Sequence, residues 1–103
     1  MIFEPLMQSA HRNELIFLDG GLCHWHLRRD GQLTIREIIV LPERQGQGIG
    51  KRILEILKSK GAVSIFAKCP ADLKANGWYE HMGFTLEGTE VTKSGRELKK
   101  WRL

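Results

Sequence analysis

The stretch from residue 38 to residue 58 constrains the fold of this chain more than any other part of the sequence. It begins with an apolar run, Ile38-Ile39-Val40-Leu41, which predicts a strand end buried on both faces, and Pro42 closes that strand. A glycine-rich loop follows, and apolar residues then recur at the spacing of an amphipathic helix. The apolar face of this helix carries Ile49, Ile53, Leu54, Ile56 and Leu57. A buried strand that leads through glycines into such a helix is typical of a mixed α/β fold.

Strand-like segments and one further helix surround this junction. Turn signals separate them, among them Asp30-Gly31, a dipeptide typical of a tight hairpin turn. A strand, a helix and a strand in succession predict a parallel strand pair joined by a right-handed crossover, with antiparallel hairpins on either side. The predicted order is β-β-β-α-β-α-β-β, a mixed α/β (α+β) sheet in one domain that spans residues 1–103. We expect the strands at residues 15–18, 22–27, 32–41, 63–67, from 84 onward and 97–103, and the second helix at residues 70–81.

Length and composition exclude several classes of protein. With 103 residues, of which 42% are hydrophobic and 27% charged, the chain has room for one modest core. No apolar run approaches the roughly 18 residues of a membrane-spanning helix, and we expect neither a secretory signal nor a membrane partner. Cys23 and Cys69 are too few for a disulfide framework, which favours reduced thiols and a cytoplasmic location. The net charge of +4 favours anionic partners, whether nucleic acid or a polyphosphorylated cofactor.

The glycine-rich loop has the features of an anion-binding site. Glycines let the backbone approach a phosphate closely, and the free N–H groups of the first helical turn point at it. Two common phosphate motifs do not fit. Gly46 to Gly50 is one residue short of a P-loop and Arg52 replaces its hydroxyl residue, while the glycine spacing differs from the G-x-G-x-x-G of a dinucleotide-binding fold.

The loop resembles a third motif, the Q/R-x-x-G-x-G/A signature of GNAT acetyltransferases, which Gln45, Gly48 and Gly50 match. The resemblance implies that this loop holds the pyrophosphate of acetyl-CoA. It also implies that the strand before the loop separates from its neighbour and hydrogen-bonds the pantetheine arm. The implied cofactor-binding residues are Ile38, Ile39, Val40, Gln45, Gly46, Gln47, Gly48, Ile49, Gly50 and Lys51.

A second segment, Ala75-Asn76-Gly77-Trp78-Tyr79-Glu80-His81-Met82-Gly83-Phe84, resembles the GNAT pattern A-x-x-F/L-Y-E-K-x-G-F. In the family the matching tyrosine lies near the cofactor sulfur and protonates the departing thiolate, so the resemblance makes Tyr79 the candidate general acid. A tyrosine packed between helix and sheet is the alternative. Where the family often has an asparagine this chain has Asp72, and Asn76 is the candidate to replace that cofactor contact.

The sequence leaves open which group takes the proton from an acceptor amine. Several GNAT members carry a glutamate at the position that matches Thr34, and Glu37 on the same strand is the candidate base here. Simple alternation places Glu37 on the opposite face from Thr34. It assigns Ile35, Glu37 and Ile39 to one face, and Thr34, Arg36, Ile38 and Val40 to the other.

Two histidines are further candidates on the acceptor side. His24 and His26 alternate along their strand and so share one face, although surface histidines without a catalytic role are more common. Two histidines without a third ligand make a poor metal site, and we expect no metal.

The pattern as a whole predicts an N-acetyltransferase that moves an acetyl group from acetyl-CoA to an unidentified amine. Residues 1–13 cannot supply the strand and two helices that wall the acceptor site in common GNAT proteins. We therefore expect an open acceptor side that suits a protein lysine or another bulky substrate, or a wall completed in a homodimer. The alternative is a catalytically degenerate module of the same fold that binds coenzyme A or nucleic acid. The basic residues for nucleic acid are Arg28, Arg29, Lys99, Lys100 and Arg102.

Overall fold

The computed structural model describes residues 14–103, so the expectation about residues 1–13 lies outside the described residues. The strands are β1 (Leu15–Leu18), β2 (Gly21–Leu27), β3 (Gln32–Val40), β4 (Ser64–Pro70), β5 (Thr85–Val91) and β6 (Glu97–Arg102). The helices are α1 (Ile49–Lys58) and α2 (Ala75–His81), with a short 3-10 helix at Pro42–Arg44. No helix in this part of the chain is long and apolar enough to cross a membrane.

The six strands form one mixed sheet in the order β1-β2-β3-β4-β6-β5. The first three strands are antiparallel neighbours, β3 and β4 are parallel, and β6 lies between β4 and β5, antiparallel to both. The predicted element order, the parallel pair and the flanking hairpins are confirmed.

Two predicted boundaries are wrong, and both errors concern the segment around Pro70. This proline is the last residue of β4, where it pairs with Leu98 of β6, so the strand is longer than predicted. Turns follow, and α2 begins only at Ala75. At its other end Gly83 has a φ of +93°, the left-handed conformation in which glycine commonly ends a helix.

A β-bulge interrupts β3 at Arg36. His24 of β2 pairs with Glu37, whereas the next residue, Trp25, pairs with Ile35. Arg36 is therefore the extra residue of the bulge, and the alternation of side chains shifts by one position beyond it.

The bulge corrects the predicted faces of β3. Ile35 and Ile38 both pack toward the core, although simple alternation assigns them to opposite faces. Ile39 is 41% exposed, so the predicted burial of the strand end on both faces is wrong. Thr34 and Glu37 pair with two histidines that share one face of β2, so these two side chains also share a face, contrary to the prediction.

Both helices pack on one face of the sheet. Ile35, Ala67 and Trp101 lie side by side on three neighbouring strands, and Tyr79 of α2 stacks on Trp101 with ring centroids 6.1 Å apart. The same core contains residues of α1 and of the strands beneath it. Its buried members are Ile16, Cys23, Trp25, Leu33, Ile35, Ile53, Leu54, Leu57, Ile65, Ala67, Cys69, Tyr79, Phe84 and Trp101. We call the opposite side of the sheet the outer face; none of the helices within residues 14–103 packs there.

Asn76 ties the start of α2 to the core. Its side-chain N–H groups donate to the carbonyls of Pro70 (2.8 Å) and Leu73 (2.9 Å), with a longer contact to Ala71 (3.3 Å). Its oxygen accepts a hydrogen bond from the indole of Trp101 at 2.9 Å. The residue is buried, and its amide satisfies polar groups that would otherwise lack partners in a low-dielectric environment.

We predict that Asn76→Ala lowers the free energy of unfolding by about 2–3 kcal/mol, because it leaves buried donors and acceptors without partners. Urea denaturation followed by tryptophan fluorescence measures the change. Thr85→Ala, at an exposed strand position, is the control and should stay within about 0.5 kcal/mol of the parent. Equal stability of the two variants would contradict the role of Asn76 in the fold.

Candidate functional site

The parallel pairing between β3 and β4 stops early. Gln32–Ile35 pair with residues 64–67, and beyond Ile35 and Ala67 the two strands separate. Residues 36–40 of β3 and residues 68–70 of β4 therefore border a gap in the sheet. The structure thus shows the strand separation that the family resemblance implied.

A cleft of about 660 Å³ opens on the helix face of the sheet beside this gap. One wall is the end of β3, a second is the glycine-rich loop with the start of α1, and the third is α2. The lining residues are Ile38, Ile39, Val40, Arg44, Gln45, Gly46, Gly48, Ile49, Gly50, Lys51, Lys74, Ala75, Trp78, His81 and Met82. Nine of the predicted cofactor-binding residues are among them, whereas Gln47, Asn76 and Tyr79 are not.

The loop presents backbone N–H groups to the cleft. Gly46 and Gly48 have φ values of +80° and +81°, a conformation that side-chain-bearing residues rarely adopt, and a Cβ on either would meet open space. The first backbone hydrogen bond of α1 runs from Arg52 N–H to Gly48 O, so the N–H groups of Ile49, Gly50 and Lys51 precede the helical ladder. An anion at this point meets three donors and the positive end of the helix dipole.

Gly50 has a different reason for being glycine. A Cβ at this position would overlap the indole nitrogen of Trp78 on α2. The missing side chain lets α1 approach α2 and sets the width of the cleft between them.

The cleft is positively charged. Arg44, Lys51 and Lys74 line it, and none of the carboxylates in the described part of the chain does. The nearest ion pair joins Arg44 Nη1 to the exposed Asp19 at 3.0 Å. Such a lining matches a ligand that carries several phosphate charges.

The backbone of β3 continues this polar lining toward the gap. The backbone N–H of Leu41 donates to the carbonyl of Gly20 on the β2 side. Since the backbone N–H and C=O groups of successive residues in a strand point to opposite edges, those of Ile38 and Val40 point toward the gap. Gln45 Nε2 already donates to Val40 O at 3.2 Å, which fixes the loop against the strand. An extended ligand arm lying in the gap could pair with the remaining groups of this strand edge.

Tyr79 lies behind the cleft rather than in its lining. Its side chain is 4% exposed and packs edge-on against Trp78 and Phe84, with ring centroids 5.0 and 5.1 Å away. Burial, with the Cys69 and Cys23 thiols near the hydroxyl, raises the pKa of Tyr79 above its ordinary value. The hydroxyl is therefore protonated throughout the neutral range and keeps a proton to donate.

The other predicted site residues lie apart from the cleft. Asn76 does not line it and has its amide engaged in the fold, and its contact with the cofactor stays a prediction. Glu37 lies on the outer face, in register with His24. Asp72 also lies away from the lining and faces Arg96 at 3.7 Å.

Sequence reasoning overlooked the part of the lining that α2 supplies. Lys74, Trp78 and His81 all border the cleft. They are spaced three or four residues apart, the interval that places side chains on one face of a helix. This spacing is the signal in the sequence that indicates a shared face for the three side chains.

A second, more open groove of about 410 Å³ lies on the outer face. Thr34, Ile35 and Arg36 of β3 line it together with Phe66 and Lys68 of β4, and its remaining lining residues are Arg28 and Gln32. Residues 34–36 of β3 line the outer groove and residues 38–40 line the cleft, so the two cavities follow one another along β3 on opposite faces of the sheet.

A buried carboxylate contacts a histidine beside this outer groove. Glu14, 6% exposed, hydrogen-bonds Nδ1 of His26, whose ring is about one-third exposed. His26 pairs across the ladder with Thr34, which borders the groove. A carboxylate on Nδ1 fixes the ring so that Nε2 is the nitrogen available to a proton.

Within residues 14–103 no group of three His, Cys, Asp or Glu side chains could hold a metal ion.

Comparison with known proteins identifies the family. A family model described as an acetyltransferase (GNAT) domain matches residues 9–86, more than half of the chain. The chain belongs to the GNAT family. A comparison with curated proteins finds no significant match.

Solved GNAT structures share this fold. Nourseothricin acetyltransferase is 23% identical over 82% of this chain and 56% of its own, with a TM-score of 0.69. The ribosomal-protein-S18-alanine N-acetyltransferase of Escherichia coli is 21% identical, covering 93% and 74%, with a TM-score of 0.66. An aminoglycoside 6'-N-acetyltransferase complexed with coenzyme A is 12% identical, covering 93% and 76%, with a TM-score of 0.73. This chain spans 55% to 60% of the nourseothricin enzyme and of two further GNAT structures.

The two helical glycines should respond to alanine with opposite signs. We predict that Gly50→Ala destabilises this GNAT domain by about 1–3 kcal/mol, because the new methyl group displaces Trp78. Gly77→Ala on α2 meets open space and should stabilise the fold by up to about 1 kcal/mol through helix propensity. Denaturation midpoints measure both changes, and a loss of stability in both variants would contradict the packing role of Gly50.

Proposed function

We propose that this GNAT protein is an N-acetyltransferase that uses acetyl-CoA to acetylate an amine. The observation that carries the proposal is the continuity of the cleft: an anion-binding loop at one end leads along an exposed strand edge to a gap in the sheet. A coenzyme A thioester has the same sequence of parts, a pyrophosphate, an amide-containing arm and a reactive carbonyl. When bound, it supplies an acetyl group activated as a thioester.

The residues of the cleft fit the parts of this cofactor. The N–H groups of Ile49, Gly50 and Lys51 would hold the pyrophosphate, with the Lys51 and Arg44 charges beside it. The edge of β3 at Ile38 and Val40 would pair with the amides of the pantetheine arm, as an added strand does. Trp78 and Met82 would cover the apolar part of the arm.

The chemistry needs two proton transfers, one away from the amine and one to the thiolate. We assign the second to the Tyr79 hydroxyl, which donates its proton as the carbon–sulfur bond breaks. For the first, Glu37 is our candidate base, and the pair of His26 with Glu14 is the alternative on the same face. The amine nitrogen loses a proton to one of these groups as the nitrogen–carbon bond forms.

Direct transfer suits this site better than a path through an acetylated cysteine. Burial raises the pKa of Cys23 to about 12, and burial together with Asp72 raises the pKa of Cys69. Both thiols are therefore protonated at neutral pH and are poor nucleophiles.

The binding-module alternative makes a different prediction about turnover. A degenerate GNAT protein would bind coenzyme A without transferring the acetyl group. The homodimer, the nucleic-acid partner and the cytoplasmic location remain predictions of the sequence.

We predict that acetyl-CoA and coenzyme A both bind, and that Gly48→Glu abolishes binding of either. The new side chain would put a carboxylate in the open space before the N–H groups of α1 and would strain a residue at φ +81°. Isothermal titration calorimetry measures the affinity. Ser94→Glu, which adds the same charge at an exposed turn outside the cleft, is the matched control and should bind like the parent. A parent protein that binds neither ligand would overturn the proposed function.

We predict that Tyr79→Phe lowers kcat by about a hundredfold, because it removes the proton donor. Acetyl-CoA affinity should not change, since Tyr79 does not line the cleft. Release of coenzyme A from acetyl-CoA, with a panel of lysine peptides as acceptors, measures kcat. Because the pKa of Tyr79 is raised, ionisation of this hydroxyl should reduce the rate only above the ordinary tyrosine value of about 10. An unchanged kcat would make Tyr79 a packing residue.

A further inference from the structure

The outer groove points to the chemistry of the acceptor. We propose that the acceptor amine is a lysine in an acidic protein segment, whose carboxylates bind Arg36 and the cations beside it. The inference rests on the proposed function and adds to it a substrate class.

The outer groove is placed where an acceptor must enter. Its lining includes Ile35, the last residue of β3 that pairs with β4, and Arg36, the residue of the bulge. Ile38, two residues further along the strand, lines the cofactor cleft on the other face. A lysine side chain that crosses the floor of the groove therefore reaches the gap from the side opposite to the cofactor.

The charges that line the groove have one sign. Arg28, Arg36 and Lys68 line it, and none of the described Asp or Glu residues does. The side chain of Arg36 is exposed and makes no hydrogen bond or ion pair within residues 14–103. This guanidinium is free to receive a carboxylate through two parallel hydrogen bonds.

The other two cations have only exposed partners. Arg28 pairs with Asp30 at 2.9 Å, and both side chains are 54% exposed. Lys68 pairs with Glu90 at 2.6 Å, and these side chains are 48% and 39% exposed. Exposed ion pairs of this kind contribute little to the free energy of folding. A carboxylate of a bound segment can therefore replace Asp30 at Arg28, or Glu90 at Lys68, at a small cost in free energy.

The shape of the groove favours a protein segment over a small molecule. Its cations lie on β4, on β3 and just beyond the end of β2, a spread of about 10 Å across two strand spacings. An extended peptide places successive side chains over such a distance, whereas a small acceptor would reach one cation. The ring of Phe66, with the Arg102 guanidinium 5.0 Å from its centre, gives the lysine stem an apolar floor.

The test compares three blocked peptides that differ only in the residues on either side of one lysine: glutamates, glutamines or arginines. Transfer from acetyl-CoA is followed by mass spectrometry and expressed as kcat/KM. We expect the glutamate peptide to exceed the glutamine peptide by about tenfold, the equivalent of one strong carboxylate contact, and the arginine peptide to be the poorest.

Two variants assign the preference to the groove. Arg36→Gln should bring the glutamate and glutamine peptides to similar kcat/KM, whereas Arg29→Gln removes the same charge from an exposed residue outside the groove and should keep the preference. Acetyl-CoA affinity, titrated on the same samples, should not change in either variant, because neither residue lines the cofactor cleft.

Several results would overturn the proposal. They are a preference for the glutamine or arginine peptide, a preference that survives Arg36→Gln, and no transfer to the glutamate peptide by a protein that binds acetyl-CoA. The other two peptides separate this failure from that of the proposed function. A protein that acetylates the glutamine or arginine peptide but not the glutamate peptide is an acetyltransferase with another preference, whereas one that binds acetyl-CoA and acetylates none of the three behaves as the binding module. A protein that binds no acetyl-CoA overturns the proposed function and this proposal with it.

Discussion

The early end of pairing between β3 and β4 is the constraint on which both cavities depend. Ile35 and Ala67 form the last parallel pair, and beyond them β3 bends at the Arg36 bulge while β4 continues only along β6. A continuous sheet would satisfy the backbone groups at this edge, whereas a gap presents them to whatever polar chain lies in it. The interruption therefore creates hydrogen-bonding capacity and, at the same place, access from both faces of the sheet.

The glycines of the loop have two different structural roles. Gly46 and Gly48 keep open the space in front of the helix N-terminus, which an anion can then occupy. Gly50, the second residue of α1, instead admits the Trp78 ring and holds the two helices at the distance that shapes the cleft. A motif known for phosphate binding thus also specifies helix packing, and both requirements act on the same few residues.

The sequence predicted the elements and the type of strand pairing well, and the register of β3 poorly. Periodicity and turn residues gave the order of the elements, and the strand–loop–helix junction gave most of the cleft lining. The bulge could not be predicted from the sequence, because the extra residue at Arg36 is defined only by the pairing of β3 with β2. The role of Asn76 depends on Trp101, which is distant in sequence, and a single asparagine fits a cofactor contact equally well. The predicted faces of β3 were wrong because of the bulge, since simple alternation assumes uninterrupted pairing.

The position of β6 has a consequence for the order in which the molecule assembles. β6 lies between β4 and β5, and its Trp101 fills the core under Tyr79. Until residues 97–102 have been synthesised, one edge of β4 is unpaired, and Tyr79 of α2 lacks the Trp101 indole on which it packs. Central pairing that waits for a late segment slows folding and exposes strand edges to other chains meanwhile. Because β1, β2 and β3 pair without β6, we expect the half of the sheet that carries the glycine loop to form first, and the cleft to acquire its phosphate-binding end before its second helix packs.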